Sequence, residues 1–293
     1  MVNIFKKSNR HLIQALGAVA FNGNLRGFLE GKIYTGPTKG ICVPVLNCYS
    51  CPGALGACPI GSLQAVLGSG EKLGFYVIGL LVLFGITLGR FFCGFLCPFG
   101  FIQDLLYKIK VRKLKVPSKI HKALKLLKYL ILFVVVMALP FIVAAGKGYA
   151  DPYFCKYICP AGIIEGALPL LFKNEILRSA IGALFNWKVL LTLLFIISSI
   201  FIYRPFCKYI CPLGALYGLF NPISFYKLEV DEDKCIKCNK CTRACKMHIE
   251  PYKDPNSREC IRCLDCKEVC PTGAIENRIV FGKEKSKLGN MEK

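Results

Sequence analysis

Eight of the 18 cysteines in this 293-residue chain repeat one spacing near the C-terminus. Two runs follow the pattern C-x2-C-x2-C-x3-C, in which three closely spaced thiolates bind three irons of a cubane and the fourth cysteine reaches a neighbouring cluster. The pattern therefore predicts two [4Fe–4S] clusters with crossed ligands. The ligands of cluster 1 are Cys235, Cys238, Cys241 and Cys270, and those of cluster 2 are Cys260, Cys263, Cys266 and Cys245.

Other cofactors fit these residues less well. Structural zinc sites use four ligands, usually from two C-x2-C knuckles, whereas eight cysteines in this register suit two cubanes. The sequence has no C-x-x-C-H for c-type haem and no G-x-G-x-x-G or P-loop for a nucleotide. Pro271 follows Cys270 as the pattern requires, but Lys246 follows Cys245. We therefore expect a looser or more exposed environment for the second cluster.

Most of the other ten cysteines follow a second spacing pattern. Three copies of C-x3-C-P occur, and each has a glycine two residues after its proline. The copies are Cys93/Cys97 with Gly100, Cys155/Cys159 with Gly162, and Cys207/Cys211 with Gly214. A degenerate fourth copy contains Cys48, Cys51 and Cys58. Because proline is favoured at the first position of a helix, each copy predicts a helix that begins directly after its last cysteine.

These motifs alternate with apolar segments that are long enough to cross a bilayer. The chain is 54% hydrophobic with a mean hydropathy of +0.46, and about 20 apolar residues span the hydrocarbon core. Residues 73–92, 126–145 and 186–203 meet this requirement, whereas polar residues interrupt a weaker segment, 11–29. A signal peptide is the alternative for 11–29, because basic residues precede it. We expect a retained helix, since no clear polar stop ends the apolar sequence.

The distribution of lysine and arginine predicts the orientation of these segments. Residues 108–128 lie between two of them and are rich in lysine without any acidic residue, and short loops of this kind stay in the cytoplasm. Residues 30–72 and 146–185 then face the outside, and the chain after Arg204 faces the cytoplasm. This topology and contact with membrane lipid explain the net charge of +21, so we expect no nucleic-acid partner.

On this topology the remaining cysteines form two sets, on opposite membrane faces about 30 Å apart. Two repeats of helix, outer motif, helix and inner motif would bring together four thiolates on each side, as one further [4Fe–4S] cluster requires. Structural thiols, or disulfides on the outside, are the alternatives. The inner set is Cys93, Cys97, Cys207 and Cys211. The outer set is Cys51, Cys58, Cys155 and Cys159, with Cys48 as an alternative ligand.

Four charged residues stand near these motifs. Arg90 and Arg204 each precede an inner cysteine by three residues, and we expect them to extend to the membrane surface rather than to act on a cluster. Asp104 and Glu165 are the acids nearest to the predicted helix ends. They give little support to a catalytic site, and we assign no catalytic residue.

The combined motifs resemble those of membrane-bound polyferredoxins of the NapH type, which are related to the C-terminal parts of NosR-type and CcoG-type proteins. The resemblance extends from residue 47 through the C-x3-C-P copies to Cys270. It implies electron transfer between a quinol pool or cytoplasmic donor and a partner redox complex. The chain lacks a large outer flavin-bearing domain of the NosR kind and ends before the extra C-terminal domain of CcoG-like proteins. Covalent flavin and copper handling are therefore not expected.

The sequence thus predicts a membrane-bound iron–sulfur electron-transfer protein. The alternatives are a membrane oxidoreductase in its own right, either a quinol dehydrogenase or a metal-ion reductase, and a redox-sensing or assembly protein. The predicted fold is an all-α membrane helical bundle of about four transmembrane helices in two repeats (residues 1–225). An α+β bacterial two-cluster ferredoxin domain (226–282) and a disordered tail (283–293) follow. The predicted location is the cytoplasmic membrane, with several spans and the ferredoxin domain in the cytoplasm.

Overall fold

The computed structural model describes residues 7–69, 74–114, 116–179 and 181–280. The tail predicted over 283–293 lies outside these residues. Most of the described chain is helical, and its sheet is a pair of short strands in the C-terminal part. This agrees with the predicted order of a helical part followed by an α+β module.

The helices in the described residues are short apart from two. The α-helices before residue 131 are α1 Lys7–Phe21, α2 Leu25–Glu30, α3 Pro59–Gly68, α4 Phe75–Leu88, α5 Phe91–Phe95, α6 Pro98–Tyr107 and α7 Ser118–Leu130, and a 3-10 helix, Pro37–Gly40, lies between α2 and α3. A π-helical segment, Ile131–Ala138, joins α7 to α8, Leu139–Lys147. Two more π-helical segments, Phe154–Ile158 and Gly162–Ala167, precede α9 Leu168–Lys173, α10 Glu175–Ser179, α11 Ala183–Phe201, α12 Pro205–Tyr209 and α13 Pro212–Phe220.

Prolines determine where the helices of the cysteine motifs begin. α3, α6 and α13 each start at the proline that follows Cys58, Cys97 or Cys211, and the cysteine is the N-cap. Proline suits the first helical position because its φ is already helical and its missing N–H is not needed there. In the remaining copy a π-helical segment starts at Gly162, three residues after Cys159. The prediction of a helix directly after the last cysteine is confirmed in three of the four copies.

Two helices among the described residues are long and apolar enough to cross a membrane, Ser118–Lys147 and Ala183–Phe201. They coincide with the predicted segments 126–145 and 186–203. Phe75–Leu88 is also apolar but has only 14 residues. It ends where Gly89 adopts a φ of 52°, a conformation that is open to glycine and stops a helix. The predicted segment 73–92 is therefore too long at its C-terminal end.

The weakest predicted segment, 11–29, is not one helix. A turn separates α1 from α2, and in it Asn22 and Asn24 donate side-chain hydrogen bonds to backbone carbonyls at 3.1 and 3.0 Å. Such bonds compete with continued helix formation. α1 packs against α5 and α6, where the buried Gln14 donates to the carbonyl of Gly94 at 3.0 Å. This helix is therefore part of the packed core.

The C-terminal module is closed by an antiparallel strand pair, β1 Tyr226–Val230 and β2 Ile275–Ile279. The register places Tyr226 opposite Ile279 and Val230 opposite Ile275. Two short helices lie between the strands, α14 Lys240–Ala244 and α15 Asp265–Glu268. The strand pair joins the two ends of the module, so that Cys270, just before β2, lies beside the first cysteine run.

This module packs closely against the helical part. Asn221, after α13, donates to the carbonyl of Cys260 at 2.7 Å and accepts from the backbone N–H of Arg90 at 2.9 Å. At Gly94 in α5, a Cβ atom would lie 2.3 Å from the carbonyl oxygen of Ile261. Only glycine permits this approach, so the backbone of a ferredoxin loop lies directly on the backbone of the first inner motif.

Candidate metal centres

The first ferredoxin site brings together the four cysteines that the spacing predicts. Cys235, Cys238, Cys241 and Cys270 line one cavity between the first loop and the start of β2. All four are only partly buried, and the neighbouring Ile236 has 65% of its surface exposed. This site is therefore close to the protein surface.

The second ferredoxin site has the crossed arrangement. Its cavity is lined by Cys245 of the first run together with Cys260, Cys263 and Cys266 of the second run. Cys260 and Cys266 are buried, and burial raises the pKa of the Cys260 thiol to about 11. The predicted looser environment at this site is wrong, because the helical part covers it. The first site is the more exposed one.

The two ferredoxin loops share an unusual backbone conformation. Lys237 and Asn239 in the first loop have positive φ angles of 52° and 58°, and the equivalent Arg262 and Leu264 in the second have 54° and 64°. Left-handed conformations of non-glycine residues cost about 1–2 kcal/mol each and persist where a functional site requires them. They turn backbone N–H groups towards the thiols, as where Arg262 N–H points at the sulfur of Cys260, 3.4 Å away. Such a loop suits an anionic cluster.

The inner set also converges on one cavity. Cys93, Cys97, Cys207 and Cys211 line it, although more than 100 residues separate the two motifs. Cys97 and Cys211 stand at the N-termini of α6 and α13, and the N–H of Gly214 points at the sulfur of Cys211 at 3.4 Å. Unpaired N–H groups at a helix N-terminus favour negative charge. The four side chains therefore suit a bound anionic cluster.

Two arginines each contact the cysteine motif in the other half of this site. Arg90 donates to the carbonyl of Cys207 at 3.2 Å, and Arg204 donates to the carbonyl of Cys93 at 2.7 Å. Both side chains are fully buried, so the expectation that they extend to the membrane surface is wrong. A Cβ at Gly100 would lie 3.2 Å from Arg204, and one at Gly214 would lie 3.3 Å from Arg90. The motif glycine therefore leaves room for the arginine of the other half.

Buried carboxylates balance these arginines. Asp104 accepts from Arg204 at 2.7 and 2.6 Å, and Arg10 of α1 lies 3.3 Å from the same carboxylate. Burial alone would raise the pKa of Asp104, but attraction to Arg204 and Arg10 lowers it to about 2. Glu259 pairs with Arg90 and with Lys128. Asp104 therefore holds a structural negative charge and is not poised for proton transfer.

The outer set differs from the first choice made on the sequence. Cys48, Cys58, Cys155 and Cys159 line a cavity of about 560 Å³. Cys51 is not among the lining residues, and its sulfur instead lies 3.4 Å from the side-chain oxygen of Asn22. The geometry therefore favours Cys48, the alternative ligand, over Cys51.

The cavities of the inner and outer sets adjoin each other. Leu46 lines both cavities, and cysteines of both sets belong to one continuous apolar core. The reason is the segment before Cys48, which folds inwards so that Pro44, Val45 and Leu46 reach the inner cavity. The spacing of the cysteines does not predict this inward path of the chain. That the two cavities adjoin was therefore not predicted from the sequence.

The thiols in these sites suit clusters better than single ions or disulfides. All 18 cysteines are free. A tetrahedral zinc ion with Zn–S bonds of about 2.3 Å would hold its thiolates within about 4 Å of one another. In the described part of the chain, no three Cys, His, Asp or Glu side chains are placed so that they could hold a single metal ion. A cubane instead takes one thiolate at each of its four irons, and each cavity is lined by four cysteines.

Sequence reasoning also missed two buried glutamines. Gln64 donates to the sulfur of Cys155 at 3.3 Å, and Gln103 donates to the sulfur of Cys207 at 3.1 Å. Each lies six residues after the cysteine that precedes proline in its own motif. A polar residue at the same place in two copies of a motif was the available signal.

Comparisons with known proteins agree with these sites. The model for a 4Fe-4S binding domain matches residues 73–117, 129–174 and 186–226, and two further 4Fe-4S binding domain models match 227–249 and 255–276. An uncharacterized protein of Methanocaldococcus jannaschii is 31% identical over 70% of this chain and 78% of its own length. The ferredoxin-type protein NapH of Escherichia coli is 26% identical over 65% of this chain and 62% of its own length. The chain belongs to the NapH-type polyferredoxin family.

Members and relatives of this family support iron–sulfur electron transfer. The putative electron transport protein YccM of Escherichia coli is 29% identical over 70% of this chain and 54% of its own length. No solved structure matches the chain. The matched domains and the cysteine geometry together identify a polyferredoxin that binds [4Fe–4S] clusters.

Proposed function

We propose that this polyferredoxin is a multi-pass membrane electron-transfer subunit with four [4Fe–4S] clusters, which carries electrons between a quinol pool or cytoplasmic donor and a partner redox complex. The observation that carries this proposal is the presence of four cavities, each lined by four cysteines. Sixteen of the 18 cysteines are accounted for in this way. Bound in these cavities, the clusters supply one-electron carriers.

The order of the sites in space supports transfer in sequence. Leu46 separates the outer cavity from the inner one. The contact of Gly94 with Ile261 joins the inner motif to the loop of the second ferredoxin site. The first ferredoxin site is the most exposed of the four and is therefore suited to exchange with a partner protein. The sites thus form a chain from the outer cavity to the surface of the module.

The surface of the helical part supports a membrane location. The two long helices present large apolar side chains outwards, including Phe141 and Ile142 of α8 and Leu190 and Leu194 of α11, each more than half exposed. Lipid would cover such surfaces. We propose four spans in two repeats, with the lysine-rich 108–128 segment and the ferredoxin module in the cytoplasm. α1 is retained in this proposal, because it packs into the core.

The outer cavity supports a second candidate, a quinol dehydrogenase. Its volume of about 560 Å³ greatly exceeds the 10–20 Å³ of the other three cysteine sites. Cavities of a few hundred Å³ with few polar groups are typical of small-molecule sites. Five polar residues line it beside the four thiols, namely Asn47, Tyr49, Ser50, Ser62 and Lys188. A quinone head group placed there would lie directly beside the outer cluster.

Iron analysis of the purified protein tests the proposal. Anaerobic preparations should contain about sixteen irons per chain, four in each of the four sites. The double variant Cys97→Ser/Cys211→Ser should lose about four irons and keep the EPR signals of the ferredoxin module. Cys42→Ser is the matched control, because Cys42 is equally buried but lines none of the four cavities. About eight irons in the wild type would refute the two membrane clusters.

A further inference from the structure

One position recurs in all four cysteine motifs of the helical part. It lies six residues after the cysteine that precedes proline, and we name it the crossing position. Because the proline fixes the start of the following helix or turn, the crossing position has a defined place relative to the cysteines. Its occupants are Gln64, Gln103, Glu165 and Tyr217.

Three of the four occupants, Gln64, Gln103 and Glu165, make a hydrogen bond to the first cysteine of the motif in the other half. Gln64 donates to the sulfur of Cys155 at 3.3 Å, and Glu165 in return accepts from the backbone N–H of Cys48 at 2.7 Å. These two contacts relate the outer motifs reciprocally. The arrangement is therefore a repeated design of the two halves rather than an isolated contact.

At the inner site the hydrogen bond is made in one direction. Gln103 donates to the sulfur of Cys207 at 3.1 Å. Tyr217, its counterpart, is fully buried and packs its ring 6.1 Å from that of Phe92, beside Cys93. The inner and outer sites thus each receive one amide donor, and in both cases it comes from the first half of the chain.

The orientation of both amides is fixed by second hydrogen bonds. The side-chain oxygen of Gln64 accepts from the backbone N–H of Phe154 at 2.8 Å, which leaves its NH2 group facing the sulfur. The NH2 group of Gln103 also donates to the carbonyl of Phe99 at 3.3 Å, which excludes the flipped amide. Both side chains are almost fully buried, where hydrogen bonds to charged acceptors are strong.

We infer that Gln64 and Gln103 are positioning residues that set the reduction potentials of the outer and inner clusters through the thiolates of Cys155 and Cys207. The inference rests on the proposed membrane clusters. Reduction adds an electron to an already anionic cluster, and a hydrogen bond to a ligating sulfur stabilises that added charge. Each amide therefore makes its own cluster easier to reduce. Such outer contacts are part of how a protein tunes a metal centre.

Redox titration followed by EPR separates this role from simple packing. Gln103→Leu should keep the wild-type iron content but move the midpoint potential of one cluster to a more negative value. Gln64→Leu should do the same to a different cluster, so that each variant is the control for the other. Gln103→Glu keeps the size of the side chain and replaces the donor by a carboxylate, and it should move the same potential as Gln103→Leu in the same direction.

Iron content and midpoint potential together distinguish failure of this inference from failure of the proposed clusters. About sixteen irons with unmoved potentials in Gln103→Leu and Gln64→Leu would overturn this inference and leave the proposed clusters standing. Loss of four irons in both Gln103 variants would also overturn it, because the residue would then be structural. About eight irons in the wild type would overturn the membrane clusters and this inference together.

Discussion

Replacement of Gly94 by alanine tests the packing between the inner motif and the ferredoxin module. Gly94 lies in α5 between Cys93 and Cys97, and the Cβ of an alanine would lie 2.3 Å from the carbonyl oxygen of Ile261. That oxygen belongs to the backbone of the second ferredoxin loop, so no side-chain rotation relieves the contact. Either the loop or α5 must move.

The size of the effect follows from this distance. Cβ contacts below 3.0 Å essentially do not occur, so the two backbones must separate by at least about 0.7 Å. Overpacking of this kind costs about 1–3 kcal/mol, while the better helix propensity of alanine recovers up to about 1 kcal/mol. With the overpacking cost near the middle of its range, about 2 kcal/mol, the net loss is about 1–2 kcal/mol. At about 2–4 °C per kcal/mol, this loss lowers the midpoint of thermal unfolding by about 2–8 °C.

A matched substitution separates the effect of steric crowding from that of helix propensity. A Cβ added at Gly79 in α4 would meet no atom within 4 Å, so Gly79→Ala should leave the unfolding midpoint unchanged or raise it. Both variants are compared with the wild type by thermal unfolding of anaerobic protein in detergent. If Gly94→Ala is as stable as Gly79→Ala, the ferredoxin loop does not rest on the inner motif as described.

Three further predictions concern the cysteines and buried charges. Cys48→Ser should lose about four irons whereas Cys51→Ser should not, and the opposite result in iron analysis would restore Cys51 as the outer ligand. Asp104→Asn leaves the buried Arg204 without its carboxylate partner, while Arg10 keeps its ion pair with Asp265, and it should lower stability by about 3–5 kcal/mol. Glu250→Gln, which removes an exposed ion pair, is the control and should lower the free energy of unfolding by less than about 1 kcal/mol. Equal unfolding midpoints for the Asp104 and Glu250 variants would contradict the burial of the Asp104 ion pair. A membrane-impermeant thiol reagent applied to intact cells containing the apoprotein should label Cys155 but no ferredoxin cysteine, and labelling of the module would reverse the proposed topology.

The ferredoxin sites were predictable because their information is local. In each run the first three ligands lie within seven residues, and the fourth follows four residues later, too far along the chain to cap the same cubane and close enough to reach the other one. The helix starts at the motif prolines were equally local. The pairing of Cys93/Cys97 with Cys207/Cys211 required only the assumption that repeated motifs occupy equivalent places.

The parts that the sequence did not reveal depend on non-local packing. Cys48 and Cys51 are equivalent by spacing, and only the fold of the preceding segment and the contact of Cys51 with Asn22 distinguish them. Arg90 and Arg204 have the positions of ordinary helix-end residues. Their burial depends on carboxylates that lie a hundred residues or more away along the chain, in the pairs Arg90–Glu259 and Arg204–Asp104.

The contacts between the two parts of the chain indicate that the ferredoxin module is a fixed component. Glu259, next to a cluster ligand, pairs with Arg90 of the inner site and with Lys128 at the end of α7. The side-chain NH2 group of Asn221 donates to the carbonyls of Ser257 and Cys260 across the same boundary. Breaking the interface would strand these buried charged and polar groups, at a cost of about 3–5 kcal/mol for the ion pairs alone. A module tethered for diffusion between partners would not bury such groups, so the module is held in place against the helical part.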